Sequence, residues 1–98
     1  MSFQIEITPK AEADIEQCAL WYKSKLIGLD TRFLNEMEDL LRHILLFPLS
    51  KQIRFDNTRL AFLKDFPFGV HHLVEENKVI VLRVLHTSRN PKNWTKNT

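Results

Sequence analysis

The sequence contains little cysteine, little glycine and no long apolar run. Its single cysteine, Cys18, excludes an intramolecular disulfide and fits a reducing cytoplasm. No apolar stretch reaches the ~18 residues that a membrane span needs, and Met1-Ser2-Phe3 does not open a signal-peptide pattern. With 98 residues, two glycines and no linker or internal repeat, the chain is expected to be one cytoplasmic domain, residues 1–98, without membrane association.

Metal-binding patterns are also missing. Histidine occurs four times, but His71 and His72 are neighbours in a strand-like run, so their side chains point to opposite faces. No cluster of histidine, cysteine and aspartate has ligand spacing. We therefore expect neither a metal site nor a cofactor, and we expect Cys18 in the core because it lies on the apolar side of a predicted helix.

Charge is divided unevenly along the chain, although the net charge is only +2. Residues 1–50 carry five Lys/Arg against eight Asp/Glu, whereas residues 51–98 carry nine against four. A basic half is typical of a surface for a polyanion or an acidic partner segment; a chance imbalance in a small domain is the alternative interpretation.

The first half of the chain predicts a strand and two helices. Apolar residues alternate over residues 3–7, and Thr8-Pro9 then supplies an N-cap and a proline at the first helical position. Apolar residues at three- and four-residue steps predict one helix over residues 9–26 and a second over about residues 30–46, with Asp30 as its cap. Gly28 separates the two helices and Pro48 ends the second, so an antiparallel helical hairpin is expected.

The second half predicts three strands. Residues 59–64 and 70–74 are strand-like runs, and the aromatic and proline residues between them predict a turn at residues 66–69. A second turn at residues 75–78 leads to the last strand, residues 79–86. The fold class is therefore α+β: an N-terminal strand, an antiparallel two-helix hairpin, then a three-stranded, mostly antiparallel sheet packed on the helices.

Arg83 is the only strong base in the apolar final strand. Strict alternation places Ile80, Leu82 and Val84 on one face and Arg83 on the other. An unpaired guanidinium away from water is costly, so either Arg83 meets a carboxylate, such as that of Glu75 or Asp65, or it faces an open groove. If the helical hairpin covers the face of Ile80, Arg83 points to the opposite face of the sheet.

The chain resembles the RelE/ParE toxin superfamily of type II toxin–antitoxin systems, also labelled plasmid stabilisation proteins. The resemblance covers nearly the whole length and rests on short motifs in a fixed order: Thr8-Pro9-Lys10-Ala11, Gly28-Leu29, Arg32-Phe33-Leu34-Asn35-Glu36, Phe47-Pro48, Arg59, Phe66-Pro67-Phe68-Gly69, Val84-Leu85-His86 and Arg89-Asn90-Pro91-Lys92-Asn93-Trp94. It implies a β-α-α-β-β-β toxin domain bound by a cognate antitoxin in a hetero-oligomer. The ending from His86 to Trp94 is similar to the ParE branch, whose members poison DNA gyrase and have no established catalytic residues.

The resemblance also leaves a nuclease open, because RelE-like members cleave messenger RNA on the ribosome. A metal-independent endoribonuclease needs a base, an acid and cations around the phosphorane. Arg59, Arg83 and Arg89 could supply cations, and Lys64 or His86 could transfer protons. RelE-like nucleases carry a Tyr or His near the C-terminus, whereas this chain has only Thr95-Lys96-Asn97-Thr98 after Trp94. Binding without catalysis is therefore favoured.

The candidate antitoxin- or target-binding residues are cationic or aromatic: Arg59, Arg83, Arg89 and Trp94. Arginine presents a rigid fork that suits an antitoxin carboxylate or a phosphate. Each has an alternative: an ion pair for Arg59 and Arg83, a solvated charge for Arg89, and an anchor of the chain end for Trp94. For His86 the alternative to proton transfer is a structural hydrogen bond to the following backbone.

The sequence thus predicts a toxin that inhibits growth by poisoning DNA gyrase and is neutralised by a cognate antitoxin. A ribosome-dependent messenger RNA endoribonuclease and an inactive relative that only binds an antitoxin are the alternatives. The antitoxin's fold, the stoichiometry, and a plasmid or chromosomal location are not determined by one sequence.

Overall fold

A computed structural model of the chain describes residues 3–88 and has the predicted α+β architecture. The elements in chain order are β1 (Gln4–Ile7), α1 (Pro9–Lys25), α2 (Leu29–Leu46), β2 (Ile53–Phe55), β3 (Thr58–Phe62), β4 (Phe68–Glu75) and β5 (Lys78–His86). The strand, the helical hairpin and the last three strands are confirmed. The short strand β2 is additional, because three residues beside a turn give too weak an alternation to be recognised.

The helix starts depend on two different residues. The Thr8 side chain accepts a hydrogen bond from the Ala11 N–H at 3.1 Å, and Pro9 follows it, as expected of a capped start. The predicted cap Asp30 was wrong for α2. Gly28 is its N-cap, with φ of 87°, and its carbonyl accepts from the Arg32 N–H. Glycine adopts this left-handed geometry easily, so the helix begins before Asp30.

The strands form one five-stranded mixed sheet in the order β1-β5-β4-β3-β2. β1 pairs with β5 in parallel, but only from Gln4 opposite Lys78 to Ile7 opposite Val81. The other neighbours are antiparallel. The last residues of β5 therefore extend past the end of β1, and α1 begins at that point.

The core lies between the helical hairpin and one face of the sheet. Its fully or nearly fully buried side chains come from both layers: Ala11, Tyr22, Phe33, Met37, Ile44, Ala61, Leu63, Phe66, Val70, Val79, Val81 and Val84. The Tyr22 ring packs edge-on to Phe66, with 4.9 Å between centroids, and Phe33 also packs on Phe66 at 5.4 Å. These aromatic contacts join α1, α2 and the segment before β4.

A bulge in β5 overturns the predicted alternation. His71 pairs with Arg83 but His72 pairs with Val81, so Leu82 is an extra residue in the ladder. Val79 and Val81 are fully buried against the helices together with Val84, whereas Ile80 and Leu82 are only partly buried. Placing Ile80 and Leu82 on the helix face was therefore wrong, because alternation through the strand holds only without an inserted residue.

Replacing Thr8 with alanine tests how β1, α1 and β5 are joined. The Thr8 hydroxyl caps α1 and also donates to the Leu82 carbonyl at 2.9 Å. Losing a cap and a partly buried hydrogen bond should lower the unfolding free energy by about 2 kcal/mol in denaturant titrations. The control is Ser24→Ala, because the Ser24 hydroxyl bonds the Trp21 carbonyl in an exposed position. Equal effects of both substitutions would contradict this role of Thr8.

Candidate partner-binding groove

Arg83 is held by a carboxylate from the first helix. Its Nε donates to Asp14 Oδ2 at 2.8 Å, and its Nη2 donates to Asp14 Oδ1 at 3.1 Å. Both side chains are mostly buried, with 20% of Arg83 and 15% of Asp14 exposed. This hydrogen-bonded pairing raises the pKa of the Arg83 guanidinium. The carboxylate alternative for Arg83 is confirmed, but its partner is Asp14 and not Glu75 or Asp65.

The same carboxylate also covers the edge of the sheet. Asp14 Oδ2 accepts the Val84 N–H at 2.9 Å. This N–H lies beyond the end of β1. Thr8 covers two earlier carbonyls, because its N–H donates to the Val81 carbonyl and its hydroxyl to the Leu82 carbonyl. The N-cap residue and the first turns of α1 thus replace the missing strand along this part of β5.

Sequence reasoning missed Asp14. It lies between Glu12 and Glu16 in the acidic first half of α1, where carboxylates are expected for the helix dipole alone. The pair with Arg83 spans 69 positions of the chain. The sequence gives one signal of a buried role for Asp14. Helical spacing places it on the same side of the helix as the apolar stripe and not on the exposed side.

Arg59 lies on the other side of the sheet from Arg83. It pairs with His72 on β4, whereas Arg83 pairs with the preceding residue, His71, so alternation separates the two guanidinium groups. The Arg59 Nη1 donates to the carbonyls of Leu49 at 3.3 Å and Lys51 at 2.5 Å. Arg59 thereby holds the segment after α2 against β3. The structure does not bring Arg59 and Arg83 together.

Lys64 is exposed after the end of β3. Its backbone N–H donates to Glu36 Oε2 at 2.7 Å, as does the Asp65 N–H at 2.9 Å. A carboxylate of α2 therefore fixes this loop, and the Lys64 ammonium group has no hydrogen bond or ion pair among residues 3–88. Its proposed part in proton transfer stays a prediction.

His86 has the structural hydrogen bond that the sequence suggested. The Ser88 N–H donates to His86 Nδ1 at 3.1 Å, and the Ser88 hydroxyl lies 2.7 Å from the same nitrogen. The imidazole packs edge-on to Phe68, with 5.2 Å between centroids. Nδ1 therefore accepts a hydrogen bond, and the ring stands at the end of β5 beside α1.

A groove separates α1 from the end of β5. Its larger part has a volume of about 480 Å³ and is lined mainly by apolar and aromatic side chains: Gln17, Cys18, Trp21, Tyr22, Pro67, Phe68 and His86. A smaller part of about 130 Å³ shares four of these residues and reaches Asp14 and Val84. We call this surface, defined by Asp14, Gln17, Cys18, Trp21, Phe68 and His86, the α1–β5 groove. Its size and lining suit an apolar or aromatic side chain.

The groove contains no activated nucleophile among the described residues. Burial, reinforced by the Asp14 carboxylate, raises the pKa of the Cys18 thiol to about 11, so the thiol stays protonated near neutral pH. Burial also raises the pKa of the Tyr22 hydroxyl. Trp21 is 57% exposed, and the Lys25 ammonium lies 5.0 Å from its ring centroid. The side chains present here can bind a partner, but they are not poised to attack one.

Two adjacent histidines are fully buried in β4. Burial lowers the pKa of His71 to about 4, and the nearby Arg83 cation contributes to the shift. Burial lowers the pKa of His72 as well, although its hydrogen bond to the Val70 carbonyl opposes this. Both imidazoles are therefore neutral near pH 7.

Arg89 and Trp94 lie outside the described residues. Within residues 3–88, no group of three or more His, Cys, Asp or Glu side chains is arranged to hold a metal ion. No helix in that part of the chain combines the length and hydrophobicity that crossing a membrane requires.

Solved structures share this fold. A chain of the chromosomal ParDE toxin–antitoxin system from P. aeruginosa matches with a TM-score of 0.68 at 19% identity, covering 89% of this chain and 98% of that one. A copper-bound point mutant of a toxin from Helicobacter pylori matches with a TM-score of 0.56 at 22% identity, covering 88% and 96%. A search of curated proteins found no significant match.

The family is assigned by a match to a family model, because solved structures at 19% and 22% identity show only the fold. The model for the ParE toxin of the type II toxin–antitoxin system parDE matches residues 5–91. The chain belongs to the ParE toxin family, as the sequence motifs indicated.

Replacing Asp14 with alanine tests its double role. The substitution leaves Arg83 unpaired in a mostly buried position and removes the acceptor for the Val84 N–H. We expect the unfolding free energy to fall by about 3 kcal/mol. Glu16→Ala, on the exposed side of the same helix, is the matched control and should change it by less than about 0.5 kcal/mol. A loss no larger for Asp14→Ala than for Glu16→Ala would contradict the assigned contacts.

The buried histidines predict acid sensitivity. The unfolded chain protonates His71 below its ordinary pKa of 6.5, whereas the native state does so only near 4. Unfolding free energy should therefore fall as the pH drops through this window, by about 2 kcal/mol from His71 between about pH 7.5 and about pH 5. Denaturant titrations at these two pH values measure this. The drop should shrink in His71→Gln and persist in the control His43→Gln, whose side chain is exposed. An unchanged drop in His71→Gln would refute the prediction.

Proposed function

We propose that the free protein stops bacterial growth in the cytoplasm by poisoning DNA gyrase, and that a cognate antitoxin neutralises it. In such a module, loss of the antitoxin releases the toxin, which stabilises a plasmid that carries both genes. Membership of the ParE toxin family supports the toxin and its antitoxin partner. The choice of gyrase rests on the similarity of the chain's ending to the ParE branch.

The arrangement of cations favours binding over RNA cleavage. A phosphorane is stabilised by cations that converge on one point. Here the Arg83 fork is occupied by Asp14, and the Arg59 guanidinium lies on the other side of the sheet and bonds backbone carbonyls. This separation is the observation that speaks against a ribosome-dependent endoribonuclease, whereas the choice of gyrase rests on the chain's ending.

We retain four residues as proposed contacts to antitoxin or target. Arg59 and Arg83 already serve structural contacts, so their exposed parts alone would meet a partner. Arg89 and Trp94 follow Ser88 in the basic half of the chain, and gyrase-bound DNA is a polyanion that such a segment would approach.

Controlled expression tests the toxin itself. We expect growth to stop when the protein is produced alone and to resume when the short open reading frame beside its gene is co-expressed. Normal growth in the presence of soluble, folded protein would refute the toxin, and growth arrest that no neighbouring gene relieves would refute the antitoxin.

Two purified reactions then identify the target. The protein is incubated with gyrase, ATP and supercoiled DNA, and the gyrase is then denatured. Linear DNA should be released, because the protein traps gyrase on cleaved DNA, and prior addition of the antitoxin should prevent this. Programmed ribosomes should retain intact messenger RNA. Arg89→Ala and Trp94→Ala should reduce the trapped DNA about tenfold, whereas Lys96→Ala, a cation of the same segment, should reduce it less than about twofold. Codon-specific RNA cuts without trapped DNA would refute the gyrase proposal and establish the endoribonuclease.

A further inference from the structure

The face of the sheet opposite the helices has a buried centre of its own. Leu60 pairs with His71 on that face. The neighbouring pair, Ala61 and Val70, points the other way and packs in the core. Leu60 also forms a cluster with Leu85 that is separate from the core. We call this surface, defined by Leu60, His71 and Leu85, the outer face of the sheet.

The outer face is shielded from water almost completely. Leu60 is 5% exposed, Leu85 is 3% exposed and His71 is fully buried. The Leu60 side chain lies across Gly69 of the intervening strand, where an added Cβ would stand 2.9 Å from Leu60 Cδ1. Side chains on an uncovered face of an antiparallel sheet keep part of their surface in water. Such burial within a single chain therefore requires a further segment of the same chain over this face.

No helix or strand among residues 3–88 lies over the outer face. Both helices pack on the core face, and so do Leu63 and Phe66 from the segment between β3 and β4. The segment after α2 is held by Arg59, which shares the core face with Ala61. The cover must come from residues before or after the described part of the chain.

The position of the two chain ends selects the second of these. Residues 1 and 2 precede β1, whose first residue pairs with Lys78. Lys78 and Leu85 are separated by seven positions of β5, or about 23 Å. The other end leaves β5 beside Leu85 and enters a turn at residues 87–88. Residues 89–98 therefore begin next to the outer face, whereas residues 1 and 2 lie at its far end.

This segment contains one large apolar side chain, that of Trp94. It follows Ser88 by six positions, and six extended residues span about 20 Å. From Ser88, Leu85 lies about 10 Å back along the strand, and Leu60 lies two strands, or about 10 Å, to the side. A chain that reverses at the turn can thus bring the indole over both leucines, where it buries a large apolar area.

The centre of the outer face does not repel the segment. The charged residues of the segment are all cations: Arg89, Lys92 and Lys96. The Arg83 cation on the outer face is already neutralised by Asp14. Burial lowers the pKa of His71 to about 4, so its imidazole is neutral near pH 7. Apolar packing of Trp94 is therefore not opposed by charge.

We propose that residues 89–98 fold back over the outer face of the sheet and that the Trp94 indole packs on Leu60 and Leu85. The inference goes beyond the proposed function, because this docking does not depend on what the protein poisons. It gives a place to the anchor role that the sequence left open for Trp94. The docked segment would also hold Arg89 at a fixed position beside the end of β5.

Nuclear Overhauser effects in the full-length protein test the contact directly. With ¹³C-labelled leucine methyl groups, the indole protons of Trp94 should show effects to Leu60 and Leu85. Trp21 is the internal control, because its ring lines the α1–β5 groove and should show none to these two leucines. A mixture of labelled and unlabelled protein separates contacts within one molecule from contacts between molecules.

Two variants of the same segment give an independent measurement. Trp94→Ala removes the anchor and should lower the thermal midpoint by at least about 5 °C. It should also move the methyl resonances of Leu60 and Leu85 downfield, because the ring current of the indole is lost. The matched control is Lys96→Ala, which should change the midpoint by less than about 1 °C and leave the methyl resonances in place.

Three results would overturn the proposal. The first is the absence of Overhauser effects between Trp94 and both leucines, including the case in which Trp94 instead shows effects to Phe68 in the α1–β5 groove. The second is effects that occur only between molecules, which would assign the outer face to the segment of a second copy. The third is equal thermal midpoints for Trp94→Ala and Lys96→Ala.

Discussion

The carboxylate of Asp14 is the interaction on which the end of the sheet depends. β1 covers β5 only as far as Val81, and from there the edge is completed by side chains of the first helical turns. Asp14 neutralises Arg83 and accepts the Val84 N–H at once, so one group satisfies a mostly buried cation and an exposed strand edge. The bulge at Leu82 changes the alternation of β5, so that Val84 follows Val79 and Val81 on the core face. Without that inserted residue, alternation would place Arg83 on the core face instead.

This arrangement supports the proposal that the protein binds a partner and does not cleave RNA. Arg83 has its fork occupied, Arg59 supports the segment after α2 on the other side of the sheet, and His86 accepts a hydrogen bond from Ser88. Among residues 3–88, the groove beside α1 offers an accessible surface lined mainly by apolar and aromatic side chains.

Local signals in the sequence were sufficient for most of the fold. Thr8-Pro9 fixes the start of α1, and strand-like runs of residues predict β3, β4 and β5, because these signals depend on neighbouring residues. The bulge and the Asp14–Arg83 pair depend on register between distant segments, which composition and spacing do not record. The groove was missed for the same reason. Trp21 is exposed on α1, and the opposite wall of the groove comes from residues near the end of β5, which are distant in the sequence.

A double-mutant cycle between Asp14 and Arg83 tests the central claim most directly. Unfolding free energies of the wild type, Asp14→Ala, Arg83→Ala and the double variant give the coupling between the two side chains, separately from the hydrogen bond of Asp14 to Val84. A fork held by two charge-assisted hydrogen bonds and largely shielded from water should give a coupling of about 1–3 kcal/mol. A coupling below about 0.3 kcal/mol would show that Arg83 is not held by Asp14 in solution and would contradict the account.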